Sequence, residues 1–346
     1  MATFQTNLDP PIRDESGIIE VYADNFVSEI KRMSALLSTY NYIGMDTEFP
    51  GTVYELRQYT PDFYYQTMKL NIDSLKLIQI GITLLNKKGE CPKKTHTWQF
   101  NLNFDFTKDK YSHSSLNLLV NCGIDFQKLK KQGINHEVFA EYLMVSGLVL
   151  NPNIHWVSFH GSYDFGYLLR MLLNAPLPNR EEDFTKELCL YFPNHYDIRI
   201  MVQGNEQLQG GLNRLADVLE VMRIGKIHQA GSDSIVTIDV FFKLLKSNLV
   251  EPDCLEVDKN ILFGLGLGAD DFETINYTQF SNENFFNSPS SSNPDTSSPL
   301  NNPMMNVLNN INGYNNVSYY FKENNRKQFH ANKIGKGLID NKIAVN

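Results

Sequence analysis

The chain has 346 residues, 42% apolar and 20% charged, which is enough to bury a full core in one large domain or two small ones. Its 31 Lys and Arg face 39 Asp and Glu, a formal net charge of −8. That argues against a protein that grips duplex nucleic acid through a broad basic face, but not against a nuclease whose positive charge comes from bound cations. Cys91, Cys122, Cys189 and Cys254 form no CxxC pair, so neither a zinc ribbon nor a disulfide framework is expected and the usage fits a reducing compartment. No basic-then-apolar leader opens the chain, and no uncharged stretch nears the roughly 20 apolar residues of a membrane span. A soluble intracellular protein with no membrane partner is the expectation.

In chain order, residues 18–39 carry apolar positions at helical spacing, with Asp24 or Asn25 placed to cap them. Residues 41–48 read as a strand ending in acids, and 51–74 as a loop leading into a short helix. Residues 75–85 read as a second strand, the NKKGE segment at 86–90 as a turn and 96–102 as a third strand. After a loop, 136–150 reads as a helix, 155–160 as a short strand and 163–174 as a helix. Residues 181–192 read as a further helix, 196–202 as a strand, and 211–222 and 233–247 as helices. A hairpin start followed by alternating strands and helices predicts an α/β fold, a mixed sheet flanked by helices. From about Gly268 the composition turns to Asn, Ser and Pro, with too little apolar surface to offset the entropy of ordering. The expected organisation is a flexible N-terminus at 1–16, one folded domain at 17–268 and a low-complexity, disordered tail at 269–346.

The chemistry is concentrated in five residues. Asp46 and Glu48 are two apart at a strand end, so period-2 geometry puts both carboxylates on one face, and close carboxylates repel unless a proton or cation lies between them. Asp164 follows the apolar stretch WVSFH and starts an apolar helix; Asp233 follows Gly231-Ser232 and starts another; His228 lies five residues before Asp233. Each has an ordinary structural explanation on its own: a solvated strand end, a first-turn acid, an N-cap, a loop histidine. Together they fall where strand ends and helix starts can converge at one sheet edge. His155, His160 and His195 are assigned structural roles. Hard oxygen donors, without thiolates or a multi-histidine set, favour Mg²⁺ or Mn²⁺ over Zn²⁺. Four carboxylates suit two divalent ions, the arrangement of two-metal phosphodiester cleavage.

The words around these acids are more specific than their spacing. MDTEFPG (45–51), FHGSYDFGYLL (159–169), YDIRIM (196–201), GGLNRLADVLEVMRIGKIHQAGSDS (210–234) and FFKLL (241–245) resemble the Caf/Pop poly(A)-specific ribonucleases, DEDD-type subunits of the CCR–NOT complex. The resemblance runs from about residue 17 to about residue 268. It implies a ribonuclease H-like DEDD fold and 3′–5′ exonucleolytic shortening of mRNA poly(A) tails with release of AMP. It matches Asp46, Glu48, Asp164 and Asp233 to the ligands of two divalent ions, Mg²⁺ or Mn²⁺, and His228 to the residue that activates the attacking water. It further implies poly(A) RNA, a NOT scaffold subunit and a second deadenylase as partners, and a cytoplasmic and nuclear location. Two competing readings are an adaptor that brings another nuclease to the scaffold, and a DNA-directed DEDD exonuclease. Phe49, Tyr163 and Phe165 neighbour the catalytic positions and are candidates either for base contact or for the core. Helix 136–150 is apolar on more than one face, which fits deep burial or a docking surface for the scaffold.

Overall fold

The computed structural model describes residues 17–265 apart from 57–61, 94–95 and 248. The expected disordered tail beyond residue 268 and the expected flexible N-terminus at 1–16 lie outside the described residues. In chain order the elements are β1 (Ile19–Val21), α1 (Phe26–Ser34), β2 (Tyr42–Glu48), α2 (Phe63–Ser74), β3 (Gln79–Leu85), β4 (Thr97–Asn101), α3 (His113–Asn121), α4 (Phe126–Gln132) and α5 (His136–Val145). There follow β5 (His155–Ser158), α6 (Ser162–Leu173), α7 (Glu181–Tyr191), β6 (His195–Asp197), α8 (Ile198–Met201), α9 (Leu212–Val218), α10 (Ala230–Lys246) and α11 (Cys254–Val257). Among the described residues no helix is long and apolar enough to cross a membrane. All four cysteines are free thiols.

One mixed sheet runs in the order β1-β4-β3-β2-β5-β6. β2, β3 and β4 are antiparallel neighbours, while β1 pairs parallel with β4, and β5 and β6 extend the other edge in parallel. Alternation along β2 divides its side chains. Ile43 and Met45 enter a large apolar cluster with Phe26, Met68, Phe139 and Phe165, supplied by α1, α2, α5 and α6. Gly44, Asp46 and Glu48 fall on the opposite face, against which α10 packs.

Two glycines let that helix come close. A Cβ on Gly81 would lie 1.8 Å from the Ala230 carbonyl oxygen, and one on Gly44 would lie 2.5 Å from that of Ser234. Only strand positions without side chains admit a helix backbone at this distance. Since Asp46 pairs in register with Gly81, the start of α10 is set down beside the acidic end of β2.

The structure corrects three sequence expectations. Residues 18–39 are not one helix: Ile19–Val21 form β1, pairing with Trp98–Phe100, and the helix begins at Phe26. The Asn25 side chain folds back, accepting from the Tyr22 N–H and donating to the Glu20 carbonyl, and so turns the chain between the two elements instead of capping α1. Residues 196–202 are strand only through Asp197. Its carboxylate accepts the Arg199 N–H and starts the short turn of α8. The supposed loop before residue 136 contains α3 and α4, whose Leu119, Phe126 and Leu129 form a separate small core with Ile78, Ile124 and Phe104.

Candidate active site

The site is built where β2 ends between the N-termini of two helices. β2 supplies Asp46 and Glu48, the first turn of α6 supplies Asp164, and the first turn of α10 supplies Asp233. Helix N-termini carry partial positive charge, so both helices favour acids at these positions. Glu48, Asp164 and Asp233 are buried and Asp46 is half-buried. The intervening Thr47 points to the other face, where its hydroxyl donates to Asp164 Oδ1 at 2.6 Å and ties β2 to α6.

The loop between α9 and α10 brings in His228. Its backbone is left-handed, with φ of 57°, and its N–H donates to Asp233 Oδ2 at 3.0 Å. A ring nitrogen of His228 and one carboxylate oxygen each from Glu48 and Asp233 all lie within 4.8 Å of one another. Arg223, from the same loop, places Nη1 on Asp233 Oδ1. Neither Arg223 nor Asn213, which accepts from its other terminal nitrogen, was singled out from the sequence. The partners are ten residues apart and meet only because the loop folds over the helix start, so no local pattern announces them.

The electrostatics follow from crowding under burial. Desolvation is the largest influence on each acid and pushes its pKa upward. For Asp46, repulsion from Asp233, Asp164 and Glu48 adds to it; for Glu48, repulsion from Asp233 and Asp164 does. Asp164 is lifted to about 7 despite the bond from Thr47, and Asp233 is lifted despite Arg223. Burial lowers the His228 pKa, which favours the neutral imidazole. The result is a pocket of oxygen donors, with carboxylate charge in excess of the nearby guanidinium.

Asp197 is a further residue missed in the sequence. It is fully buried and accepts four backbone N–H groups, from His160, Gly161, Arg199 and Phe263, at 2.7–3.1 Å. It thereby fixes the turn into α6 on which Asp164 stands. The remaining histidines have structural surroundings. His195 is buried with Nδ1 on the Phe192 carbonyl oxygen, and His155 stacks on Tyr42. His160 packs edge-on against Phe263, with its pKa lowered to about 4 by burial. Of the aromatics beside the acids, Phe165 is entirely core, whereas Phe49 and Tyr163 are half-buried and stack on each other with centroids 5.3 Å apart.

An open cleft of about 450 Å³ lies along the segment that follows Glu48, lined by Val53, Tyr54, Asp109, Lys110, Tyr111 and His113. The Ser112 N–H on the Pro50 carbonyl oxygen joins its two walls. Lys110 donates to the Tyr54 hydroxyl at 2.7 Å, and Lys76 neutralises Asp109 at 2.8 Å.

Comparison with known proteins identifies the family. Residues 21–142 match the model of the CAF1 family ribonucleases. The chain is 41% identical over 254 residues to poly(A) ribonuclease pop2 of Schizosaccharomyces pombe, covering 72% of this chain and 76% of that protein. It is 43% identical over 262 residues to the probable CCR4-associated factor 1 homolog 10 of Arabidopsis thaliana, covering 73% and 94%. Among solved structures, S. pombe Pop2p in its Mg²⁺- and Mn²⁺-bound form superposes with a TM-score of 0.69 at 40% identity, over 72% of this chain and 99% of that one. Yeast CAF1 co-crystallised with the NOT1 MIF4G domain superposes with a TM-score of 0.62 at 31% identity, over 74% of this chain and all of that one. The fold is therefore ribonuclease H-like, and the chain belongs to the CAF1 family of ribonucleases.

Proposed function

We propose that this protein is a 3′–5′ exoribonuclease that shortens the poly(A) tails of messenger RNA, releasing AMP, and that it is a catalytic subunit of a CCR–NOT assembly. The observation that supports the reading is that Glu48, Asp233 and a ring nitrogen of His228 lie within 4.8 Å of one another, with Asp46 and Asp164 near enough for their carboxylates to repel this group. The relative named a poly(A) ribonuclease supports the substrate. Tyr54, Tyr111 and Lys110, which line one cleft, are of the kinds that stack on exposed bases and hold their backbone, and this supports a single-stranded substrate.

The donor set fits two Mg²⁺ or Mn²⁺ ions, because hard carboxylate oxygens in excess negative charge are what such ions require. Asp46, Glu48, Asp164 and Asp233 are the residues to hold them. Bound there, the ions supply Lewis-acid stabilisation of the charge that develops on the attacking and leaving oxygens. The rest is done by the chain. The N-termini of α6 and α10 orient Asp164 and Asp233, and Thr47 locks the Asp164 carboxylate against β2. His228, neutral at physiological pH, takes the proton of the attacking water at a ring nitrogen close to the Glu48 and Asp233 oxygens. Its backbone bond to Asp233 keeps base and acid in one unit.

Yeast CAF1 crystallises with a NOT1 domain, which supports a scaffold subunit as partner here; a second deadenylase of the same assembly and a cytoplasmic and nuclear location belong to the same reading. The test is the full chain on 3′-terminal oligo(A) RNA with Mg²⁺ or Mn²⁺, followed nucleotide by nucleotide. AMP release that disappears in Asp46→Ala, together with little action on equal-length oligo(dA), is the expected result. His228→Ala should retain slow activity, lowered by about 10²–10⁴-fold, and lose the rise in rate from acid toward neutral pH. An inert wild-type chain would favour the adaptor reading, and equal cleavage of oligo(dA) the DNA-directed one.

A further inference from the structure

The acids of this site have a cation of their own. Arg223 leaves the loop between α9 and α10 with its side chain only 18% exposed, and both terminal nitrogens of its fork are hydrogen-bonded. Nη1 donates to Asp233 Oδ1 and to the Ser232 hydroxyl at 3.0 Å, while Nη2 donates to the Asn213 side-chain oxygen. The Ser232 hydroxyl in turn donates to the Ile224 carbonyl oxygen at 2.6 Å, so the loop is strapped to the start of α10. Asp233 is engaged at both oxygens, by Arg223 on Oδ1 and by the His228 N–H on Oδ2. Its carboxylate nevertheless lies within 4.8 Å of the Glu48 oxygen and the His228 ring. A guanidinium there has two opposed effects. In the metal-free protein it offsets the mutual repulsion of the carboxylates. Toward an arriving divalent cation it is a like charge that already holds a ligand oxygen.

We propose that Arg223 competes with a divalent cation for the Asp233 carboxylate, and thereby sets the metal affinity of the site below what its four acids would give. The inference rests on the reading that these acids hold divalent ions, and goes beyond it by giving a positioning arginine a measurable opposing role. A merely structural strap predicts the reverse sign: loosening Asp233 would weaken metal binding.

The measurement is Mn²⁺ binding by the full chain, read from the electron paramagnetic resonance of free Mn²⁺. It is made for wild type, Arg223→Gln and Arg223→Lys, without RNA. Arg223→Gln should bind Mn²⁺ tighter, on the order of tenfold, the scale of one like-charge contact in a partly hydrated site. Arg223→Lys, which keeps the charge, should stay near wild type. Metal-free Arg223→Gln should melt lower than wild type yet gain more on adding Mn²⁺. If that variant folds only with metal, graded chelation of the loaded protein reads the same affinity. Unchanged or weaker binding in folded Arg223→Gln would overturn the competition while leaving the metal reading intact. Absence of Mn²⁺ binding by wild type would overturn both.

Discussion

Asp164 shows how a single residue couples stability to function. Burial lifts its pKa from 3.8 to about 7. Between those values the folded chain retains a proton that the unfolded chain has released, so metal-free stability rises as pH falls across the window. Above about 7 the whole penalty of the buried charge is present, and below 3.8 none of it is. Asp164→Asn removes the charge but keeps an oxygen to accept from Thr47. Metal-free Asp164→Asn should therefore melt above wild type at pH 7.5, with the gap closing toward pH 4. The buried His160 and His195, both held to about 4, oppose this trend by charging in the unfolded chain first, but they are common to both proteins and cancel in the comparison. Adding Mn²⁺ should stabilise wild type more than the variant. A gap that stayed constant with pH would mean that Asp164 is not held at a raised pKa. At this same scale the four proposed site acids leave a local pattern in the sequence, at a strand end and at two helix starts, whereas the role proposed for His228 rests on the family words around it. Arg223 and Asp197 leave no such pattern. One finds its partner through a folded loop, and the other satisfies backbone groups from three separate segments.

Among the elements, α10 decides the site. It lies across β2 and β3 at glycines, with Ala230 over Gly81 and Asp233 one turn further on. Gly81→Ala would drive a methyl group into the Ala230 carbonyl. Such overpacking costs about 1–3 kcal/mol, and the only relief is to lift the helix that carries Asp233. The variant should lower the urea midpoint and reduce kcat together. Loss of stability with full activity would show that the site tolerates a displaced helix. β3 itself was readable from its run of Ile and Leu, but the need for a glycine within it was not, because the demand comes from a helix about 150 residues later. The failures at this scale have similar causes. In β1 three residues cannot be told from a helical turn by periodicity, and pairing with Trp98–Phe100 decides the matter. In α3 only Ser115 and Leu119 are buried, too few to leave an apolar stripe.

At the scale of the molecule, α5 settles between burial and exposure by division. Phe139 and Leu143 enter the main core, while Val138 is 39% and Val145 80% exposed. Nearby Leu150 is 46% exposed. Met144 packs partly against the core, so charge placed there would test folding as much as docking. Val145→Arg is the cleaner probe of a scaffold surface. It should leave stability within about 0.5 kcal/mol and nuclease activity unchanged, while abolishing co-purification with a NOT scaffold domain. Retained binding would place the scaffold on another face.

The sequence by itself determined the class of fold and the kind of chemistry. Both are written in short-range patterns: the period of apolar residues along strands and helices, and hard acids at element ends within family words. Only the tertiary structure decided which charges meet. It brought Arg223 onto Asp233, Thr47 onto Asp164, and four backbone amides onto Asp197. Those contacts depend on loop closure and on helix placement over a sheet. Burial, and with it the raised acid pKa values, is a property of the assembled layers and of no local stretch of chain.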